Sequence, residues 1–143
     1  MVMSGCIFCS IIDGKTSAHK VYEDDRALAF LDNHPSAPGH TLVIPKAHVR
    51  NVEDLSEDDA RAVFMALHKV VGGVQEAMNA PASTIGINNG PEAGQEIPHL
   101  HIHIIPRSSR GEGGIIQSIV RRSGGSGSLS ENAEKIKEAL SLV

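Results

Sequence analysis

Histidine alternates with aliphatic residues in one short stretch, and this alternation constrains the fold of the chain more than any other feature. Residues 98–107 read PHLHIHIIPR. Side chains two positions apart on a β-strand point to the same face, so His99, His101 and His103 are predicted to share one face. The isoleucines between and after them favour a strand over a helix, because β-branched side chains fit a pleated surface. The sequence therefore predicts a strand with one aliphatic, buried face and one face of imidazoles.

A row of three imidazoles can perform more than one kind of chemistry. Imidazole titrates near pH ~6.5, so such a row can exchange protons, bind a metal or attack an electrophile. A single histidine on a strand is usually structural, and an H-x-H pair is often a metal pair. Three alternating histidines favour a functional role, and the pattern by itself leaves metal ligand and nucleophile open.

The two cysteines form a C-x-x-C motif, Cys6 and Cys9. Such a motif alone is ambiguous between a redox pair, half of a zinc site and coincidence. Too few residues precede Cys6 for the strand that comes before the motif in a thioredoxin-like unit. A zinc site, or a relic of one, is the favoured interpretation, and eight histidines are available to complete it.

Length and charge exclude several classes. The 143 residues predict one domain over 1–143, with a core at about 6–107 and a glycine-rich tail with a terminal helix at 108–143. A formal net charge of −4 gives no electrostatic reason to expect a nucleic-acid polymer as partner. No apolar run reaches membrane-spanning length, and residues 1–5 lack a signal-peptide pattern. We therefore expect no membrane association and a cytoplasmic protein.

Periodicity and turn residues predict an α+β domain. Strands are predicted at 21–23, 27–31, 41–44 and 83–88, in addition to the histidine strand. Ser56 is predicted to cap a long helix that runs to about Ala77, and short helices are predicted at 8–13 and from Ser130 to Leu140. Many strands and one long crossing helix indicate a mainly antiparallel sheet of about five strands.

Residues 99–105 resemble the signature of the histidine triad (HIT) family of nucleotide hydrolases and transferases. The segments GPEAGQ at 90–95 and PGHTLVIPK at 38–46 also resemble that family. The resemblance extends from about Cys6 to Arg107. It implies the HIT-like fold and a homodimer formed by joining sheets.

The resemblance also implies a reaction. In the HIT family the middle histidine of the triad is the nucleophile and becomes nucleotidylated, which assigns the attack to His101 and assistance at the phosphate to His103. Asp32 matches the acid that accepts hydrogen bonds from the ribose hydroxyls. The remaining matched positions bind phosphate or base: Asn88, Gly94, Gln95 and His103 for the phosphate, and Ile7, Phe8, Ile11 and Phe30 for a purine base. Glu96 departs from the serine or threonine of Hint-like members, which changes the expected leaving-group preference.

A branch of the family with C-x-x-C binds structural zinc. Matched residue by residue, its ligands are Cys6, Cys9, His48 and His99, a closed tetrahedral set. The resemblance implies zinc as the only cofactor, with no strict need for magnesium. His40 also matches a family position, and we predict a structural role for it.

Four functional hypotheses follow. The first is a hydrolase or nucleotidyl transferase acting on purine nucleotide conjugates, such as AMP phosphoramidates and acyl or lysyl adenylates. The second is a dinucleoside polyphosphate hydrolase, because residues 90–95 and 106–107 resemble the Fhit branch more closely. The third is a nucleotide-binding or partner-binding protein with vestigial catalysis. A metallohydrolase that uses the triad as ligands ranks last, because no H-x-H-x-D-H or H-E-x-x-H motif is present.

Overall fold

The computed structural model describes residues 5–110 and 127–141, together with positions 114, 116, 120 and 125. Its elements, in chain order, are α1 (Ile7–Ile12), β1 (Lys20–Glu23), β2 (Ala27–Leu31), β3 (Thr41–Pro45), α2 (Glu57–Ala77), β4 (Ala82–Gly86), β5 (Ile102–Arg107) and α3 (Leu129–Leu140), with short 3₁₀ turns at Val52–Asp54 and Pro91–Ala93. None of the helices in these parts of the chain combines the length and apolar character needed to cross a bilayer.

The five strands form one antiparallel sheet in the order β1-β2-β3-β5-β4. The histidine strand β5 therefore lies inside the sheet, between β3 and β4. The predicted α+β class, with about five strands and one long helix, is confirmed.

Successive side chains of a strand point to opposite faces of the sheet, and a separate hydrophobic core lies on each face. On one face, α1 packs over a cluster that includes Leu28, Phe30, Leu42 and Ile44. On the other face, the long helix α2 packs over alanine, valine and isoleucine side chains, which include Ile102 and Ile104 of β5. The aliphatic residues of the histidine stretch thus lie under α2, while the imidazoles lie on the side of α1.

The long helix begins and ends as predicted. The Ser56 hydroxyl accepts a hydrogen bond from the Asp59 N–H and caps it, and three acidic residues occupy the first turn. Apolar residues recur along this helix at the 3.6-residue spacing that predicts a buried stripe, and Val63 and Val70 of that stripe are buried, together with Ala66. Phe64 and Met78 have the same spacing, but they are 43% and 40% exposed.

Two further boundaries differ from the prediction. The histidine strand begins only at Ile102: its pairing with β4 ends at the Gly86–His103 pair and its pairing with β3 ends at the Val43–Ile102 pair. Before that point the Leu100 N–H donates to the Val49 carbonyl, in the loop after β3. The terminal helix is capped by Ser128 rather than Ser130, because the Ser128 hydroxyl accepts from the Glu131 N–H. No residue of α3 is buried.

Candidate active site and metal centre

The four predicted metal ligands lie together at the start of α1. Cys6 is the N-cap of that helix, and its sulfur accepts from the Cys9 N–H, so both thiols are held at the same helix end. The Cys9 sulfur lies 3.3 Å from His48 Nδ1 and 3.6 Å from His99 Nδ1. The Cys6 sulfur lies 3.5 Å from His99 Nδ1. All four donor atoms lie within 4.8 Å of one another.

This donor set fits zinc. A tetrahedron with Zn–S of about 2.3 Å and Zn–N of about 2.1 Å has sulfur–nitrogen edges of about 3.6 Å, close to the separations in this cluster. His99 Nε2–H donates to the Pro45 carbonyl at 2.8 Å, so its Nδ1 carries the lone pair that a metal needs. Burial lowers the pKa of His99 to about 4, which keeps the ring neutral. Two thiolates and two imidazoles complete four-coordination.

His101 lies next to this centre and is oriented by it. Its Nδ1–H donates to the main-chain carbonyl of His99 at 2.7 Å. In the neutral form of this ring, the lone pair is therefore on Nε2. The Phe8 ring packs edge-on against it, with ring centroids 5.2 Å apart. A buried imidazole with a fixed tautomer and an unprotonated Nε2 has the state required of a nucleophile.

His103 carries its proton on the opposite nitrogen, and His40 is the reason. The Ser36 N–H donates to His40 Nδ1 at 3.0 Å, so the proton of neutral His40 is on Nε2. His40 Nε2 lies 2.9 Å from His103 Nδ1 and donates to it. His103 therefore carries its own proton on Nε2. The two neighbouring rings of the triad, with centroids 4.9 Å apart, thus offer one lone pair and one N–H.

Burial keeps this pair of histidines neutral. Loss of solvent lowers the pKa of His103 to about 4, and positive charge on His101 or His40 would lower it further, while Asp32 opposes the shift. Burial also lowers the pKa of His40, against the opposing effect of Asp32. His103 therefore acts near pH 7 as a neutral hydrogen-bond donor.

A cavity of about 500 Å³ opens in front of His101 and His103. The predicted apolar base slot forms part of its wall, and Phe8 and Phe30 meet there edge to face at 5.5 Å between centroids. Asp32 lies on the wall as well. Its Oδ1 accepts from the His34 N–H at 2.9 Å, so this residue both forms a turn and presents a carboxylate to the cavity. The predicted substrate residues in the lining are Ile7, Phe8, Ile11, Phe30, Asp32, Asn88, Gly94 and His103.

The loop between β4 and the histidine stretch forms another part of the wall. Gly94 has a φ of 99°, which favours glycine, and it lies against the Asn88 side-chain amide. Gln95 is absent from the cavity lining. Its side chain is buried, with Oε1 accepting from the Gly90 N–H and Nε2 donating to the carbonyls of Arg50 and Ile97. The structure gives Gln95 the position of a loop brace, and a direct contact to substrate stays a prediction.

His40 and Glu96 belong to the site, although neither is among the predicted catalytic, substrate-binding or metal-binding residues. His40, for which a structural role was predicted, is buried and in contact with His103, where it determines that ring's tautomer. His40 lies 62 residues before Ile102, the first residue of β5, so the spacing along the chain does not predict that the two histidines meet. The segment PGHTLVIPK, which resembles the family, does contain His40. Glu96 also lines the cavity.

The lowered pKa of His103 predicts a pH-dependent stability. Between pH ~6.5 and about 4 the unfolded chain binds a proton at this residue and the folded chain does not, so stability falls as pH falls through that window. The slope from one such site is at most about 1.4 kcal/mol per pH unit. Urea unfolding of zinc-loaded wild type and His103→Asn across this range measures the difference. The exposed His68→Asn serves as control, and parallel curves for wild type and His103→Asn would contradict the assignment.

An antiparallel sheet with three alternating histidines in and just before a central strand, beside a Cys₂His₂ cluster, defines a class of small α+β protein with an imidazole-based site. Residues 13–110 match the HIT domain family. The chain belongs to the HIT family.

Individual relatives agree with this membership. "Protein hit" of Bacillus subtilis is 44% identical over 108 residues, which are 76% of this chain and 74% of that protein. Adenylylsulfatase HINT3 of Arabidopsis thaliana is 38% identical over 76% of this chain and 55% of its own length. The asymmetrical bis(5′-nucleosyl)-tetraphosphatase of Schizosaccharomyces pombe is 41% identical over 60% of this chain and 47% of its own length. The family thus includes hydrolases that act on nucleotides.

Solved structures share the fold. A Streptococcus mutans protein superposes with a TM-score of 0.79 at 35% identity, covering 97% of this chain and 85% of its own. A zinc-bound histidine triad protein of Mycobacterium smegmatis has a TM-score of 0.70 at 34% identity, covering 76% of this chain and 78% of its own. A family member with bound zinc thus exists among the structural neighbours of this chain.

Proposed function

We propose that this protein is a hydrolase or nucleotidyl transferase that acts at the α-phosphate of purine nucleotide conjugates, such as AMP phosphoramidates and acyl or lysyl adenylates. The observation that carries the proposal is the complementary pair of tautomers on the cavity wall. His101 presents a lone pair and His103 presents an N–H, which suits attack on phosphorus with stabilisation of the phosphate oxygens.

The proposed reaction has two displacements. The lone pair of His101 Nε2 attacks the α-phosphorus and forms a P–N bond, while the bond to the leaving group breaks and its electron pair goes to the leaving atom, which takes a proton from solvent. His103 Nε2–H donates to a non-bridging phosphate oxygen throughout. Water then attacks the phosphorus and gives one proton to solvent, the P–N electron pair returns to His101 Nε2, and the nucleoside monophosphate departs.

The other contacts follow the lining of the cavity. We propose that Ile7, Phe8, Ile11 and Phe30 hold the base. Asp32 accepts from the ribose hydroxyls, and Asn88 and Gly94 lie near the phosphate, with the loop held by Gln95. Cys6, Cys9, His48 and His99 hold a structural zinc ion, which when bound links α1 to the segment that carries His101. No magnesium is needed in this scheme, because the imidazoles supply nucleophile and donor.

A second candidate function is hydrolysis of dinucleoside polyphosphates. It is favoured by the similarity to the Schizosaccharomyces pombe tetraphosphatase. A substrate panel of AMP-amide, lysyl-adenylate and diadenosine polyphosphates separates the two. Tight nucleotide binding without turnover of any of them would contradict both and leave a binding protein with vestigial catalysis.

The proposed ribose contact predicts discrimination against 2′-deoxyribose. A half-buried carboxylate that loses a hydroxyl partner is expected to cost about 1–3 kcal/mol in the transition state. We therefore expect kcat/KM for AMP conjugates to exceed that for dAMP conjugates by this amount in wild type, and the difference to shrink in Asp32→Ala. Asp25→Ala, which removes an exposed carboxylate, is the control. Equal values for the two sugars in wild type would remove Asp32 from the ribose site.

We also propose a homodimer and a cytoplasmic location. Strand β4 is an outer strand of the sheet, and its Ile85 is 39% exposed, so a second copy has an edge to pair with. Both cysteines are free thiols in the metal cluster, which suits a reducing compartment.

A further inference from the structure

Glu96 lies where two cavities meet. The main cavity contains His101 and His103, and Glu96 is one of its lining residues. A second cavity of about 320 Å³, here called the side cavity, is lined by Gly5, Cys6, Ile7, His48, Glu96, Ile97 and Pro98. Ile7, Glu96 and Ile97 line both cavities. The two cavities therefore adjoin at Glu96, next to the cavity that contains His101.

The carboxylate at this junction is not neutralised by the protein. Glu96 is exposed and forms no salt bridge or side-chain hydrogen bond with any residue in the described parts of the chain. Among the described residues that line either cavity there is no lysine or arginine. The other carboxylate of the main cavity, Asp32, already accepts from the His34 N–H. The junction therefore has an uncompensated negative charge.

Glu96 lies where the leaving group is expected to pass. When the base and ribose fill the main cavity, the group on the far side of the phosphate needs another opening, and the side cavity adjoins at Glu96. A polyphosphate leaving group would bring several negative charges to this carboxylate, which is unfavourable. An alkylamine with a second, protonated nitrogen would bring a positive charge to it, which is favourable.

We propose that Glu96 is a specificity-determining residue that selects cationic alkylamine leaving groups, which occupy the side cavity. This inference rests on the proposed function, since it names the leaving-group class for that same site. It also disfavours the polyphosphate alternative.

A series of three AMP phosphoramidates of matched length tests the inference. AMP is joined through nitrogen to 1,3-diaminopropane (cationic end), to butylamine (neutral end) or to 4-aminobutyrate (anionic end). For wild type we expect kcat/KM to fall in that order by about fivefold per step, the size of a favourable exposed ion pair. The preference is expected to weaken as ionic strength rises, because salt screens exposed charges.

Two variants and one control complete the design. Glu96→Gln keeps the size of the side chain and is expected to bring the three substrates to similar values. Glu96→Lys is expected to reverse the order. Glu92→Gln removes the same charge from the same loop at an exposed position outside both linings, so it is expected to keep the wild-type order.

The outcomes separate the inference from the function on which it rests. If wild type turns over none of the three phosphoramidates, the proposed function is wrong. If wild type turns them over without regard to charge, or if Glu96→Gln keeps the wild-type order, the role of Glu96 is overturned and the proposed function stands.

Discussion

Replacing His101 by alanine is expected to lower kcat on an AMP phosphoramidate by several orders of magnitude, on the order of 10⁴-fold, while nucleotide binding changes little. The reason is that His101 alone in the triad has its lone pair facing the cavity: its Nδ1–H is donated to the His99 carbonyl. The lone pair of His99 points to the metal cluster, and that of His103 accepts from His40. Steady-state turnover and AMP binding by calorimetry measure the two quantities separately.

Acid or denaturant quenching of wild type during turnover is expected to trap a nucleotidyl adduct that peptide mass spectrometry locates on His101. His103→Ala is expected to reduce kcat by less, because it removes a donor and not the attacking atom. His68→Ala, at an exposed position on α2, is the matched control with near-normal kinetics. An adduct on His103, or a His101→Ala enzyme with kcat close to wild type, would overturn this assignment.

Removal of zinc is expected to lower stability strongly. Metal at a hundredfold excess over its Kd stabilises the folded state by about 2.7 kcal/mol, which for a domain of this size corresponds to a rise in Tm of about 10 °C. Cys6 and Cys9 at the start of α1 lie close to His48 and His99, so a bound zinc ion would join segments that are far apart in the chain. Thermal melting of chelated and zinc-reloaded protein, together with metal content by mass spectrometry, measures the effect.

Cys9→Ser is the variant that isolates the metal from other effects of the chelator. Serine is close in size, so the fold should persist, but the Tm of this variant is expected not to rise when zinc is added. A chelated wild type that melts at its original temperature and yet loses all turnover would show that the metal is catalytic, and the structural assignment would then be wrong.

Local patterns predicted much of this fold. The helix α2 was predictable because Ser56, the acidic first turn and a 3.6-residue periodicity all indicate the same element. The two faces of β5 were predictable because the period of a strand is two. The metal ligands were predicted from a family resemblance, and the structure brings all four together.

What local patterns did not predict depends on contacts between distant segments. His40 meets His103 only because β3 pairs with β5, with Leu42 opposite His103. The start of β5 was placed too early, because the Leu100 N–H donates to the Val49 carbonyl of a loop rather than to a neighbouring strand. The alternation alone also does not show that α1 covers part of the imidazole face, where the Phe8 ring contacts His99 and His101. Each of these features is set by tertiary packing.

The alternation in the histidine stretch also limits how this protein can evolve. His101 and His103 line the cavity, while Ile102 and Ile104, in the same stretch, pack in the core under α2. Exchange of one isoleucine for another β-branched residue alters the packing at that position alone and leaves the register of the strand unchanged. Deletion or insertion of one residue inside the stretch shifts the register and moves every side chain beyond it to the opposite face. The histidines of the site and the packing of the core would then be lost together, so this segment is expected to tolerate substitution far better than any change of length.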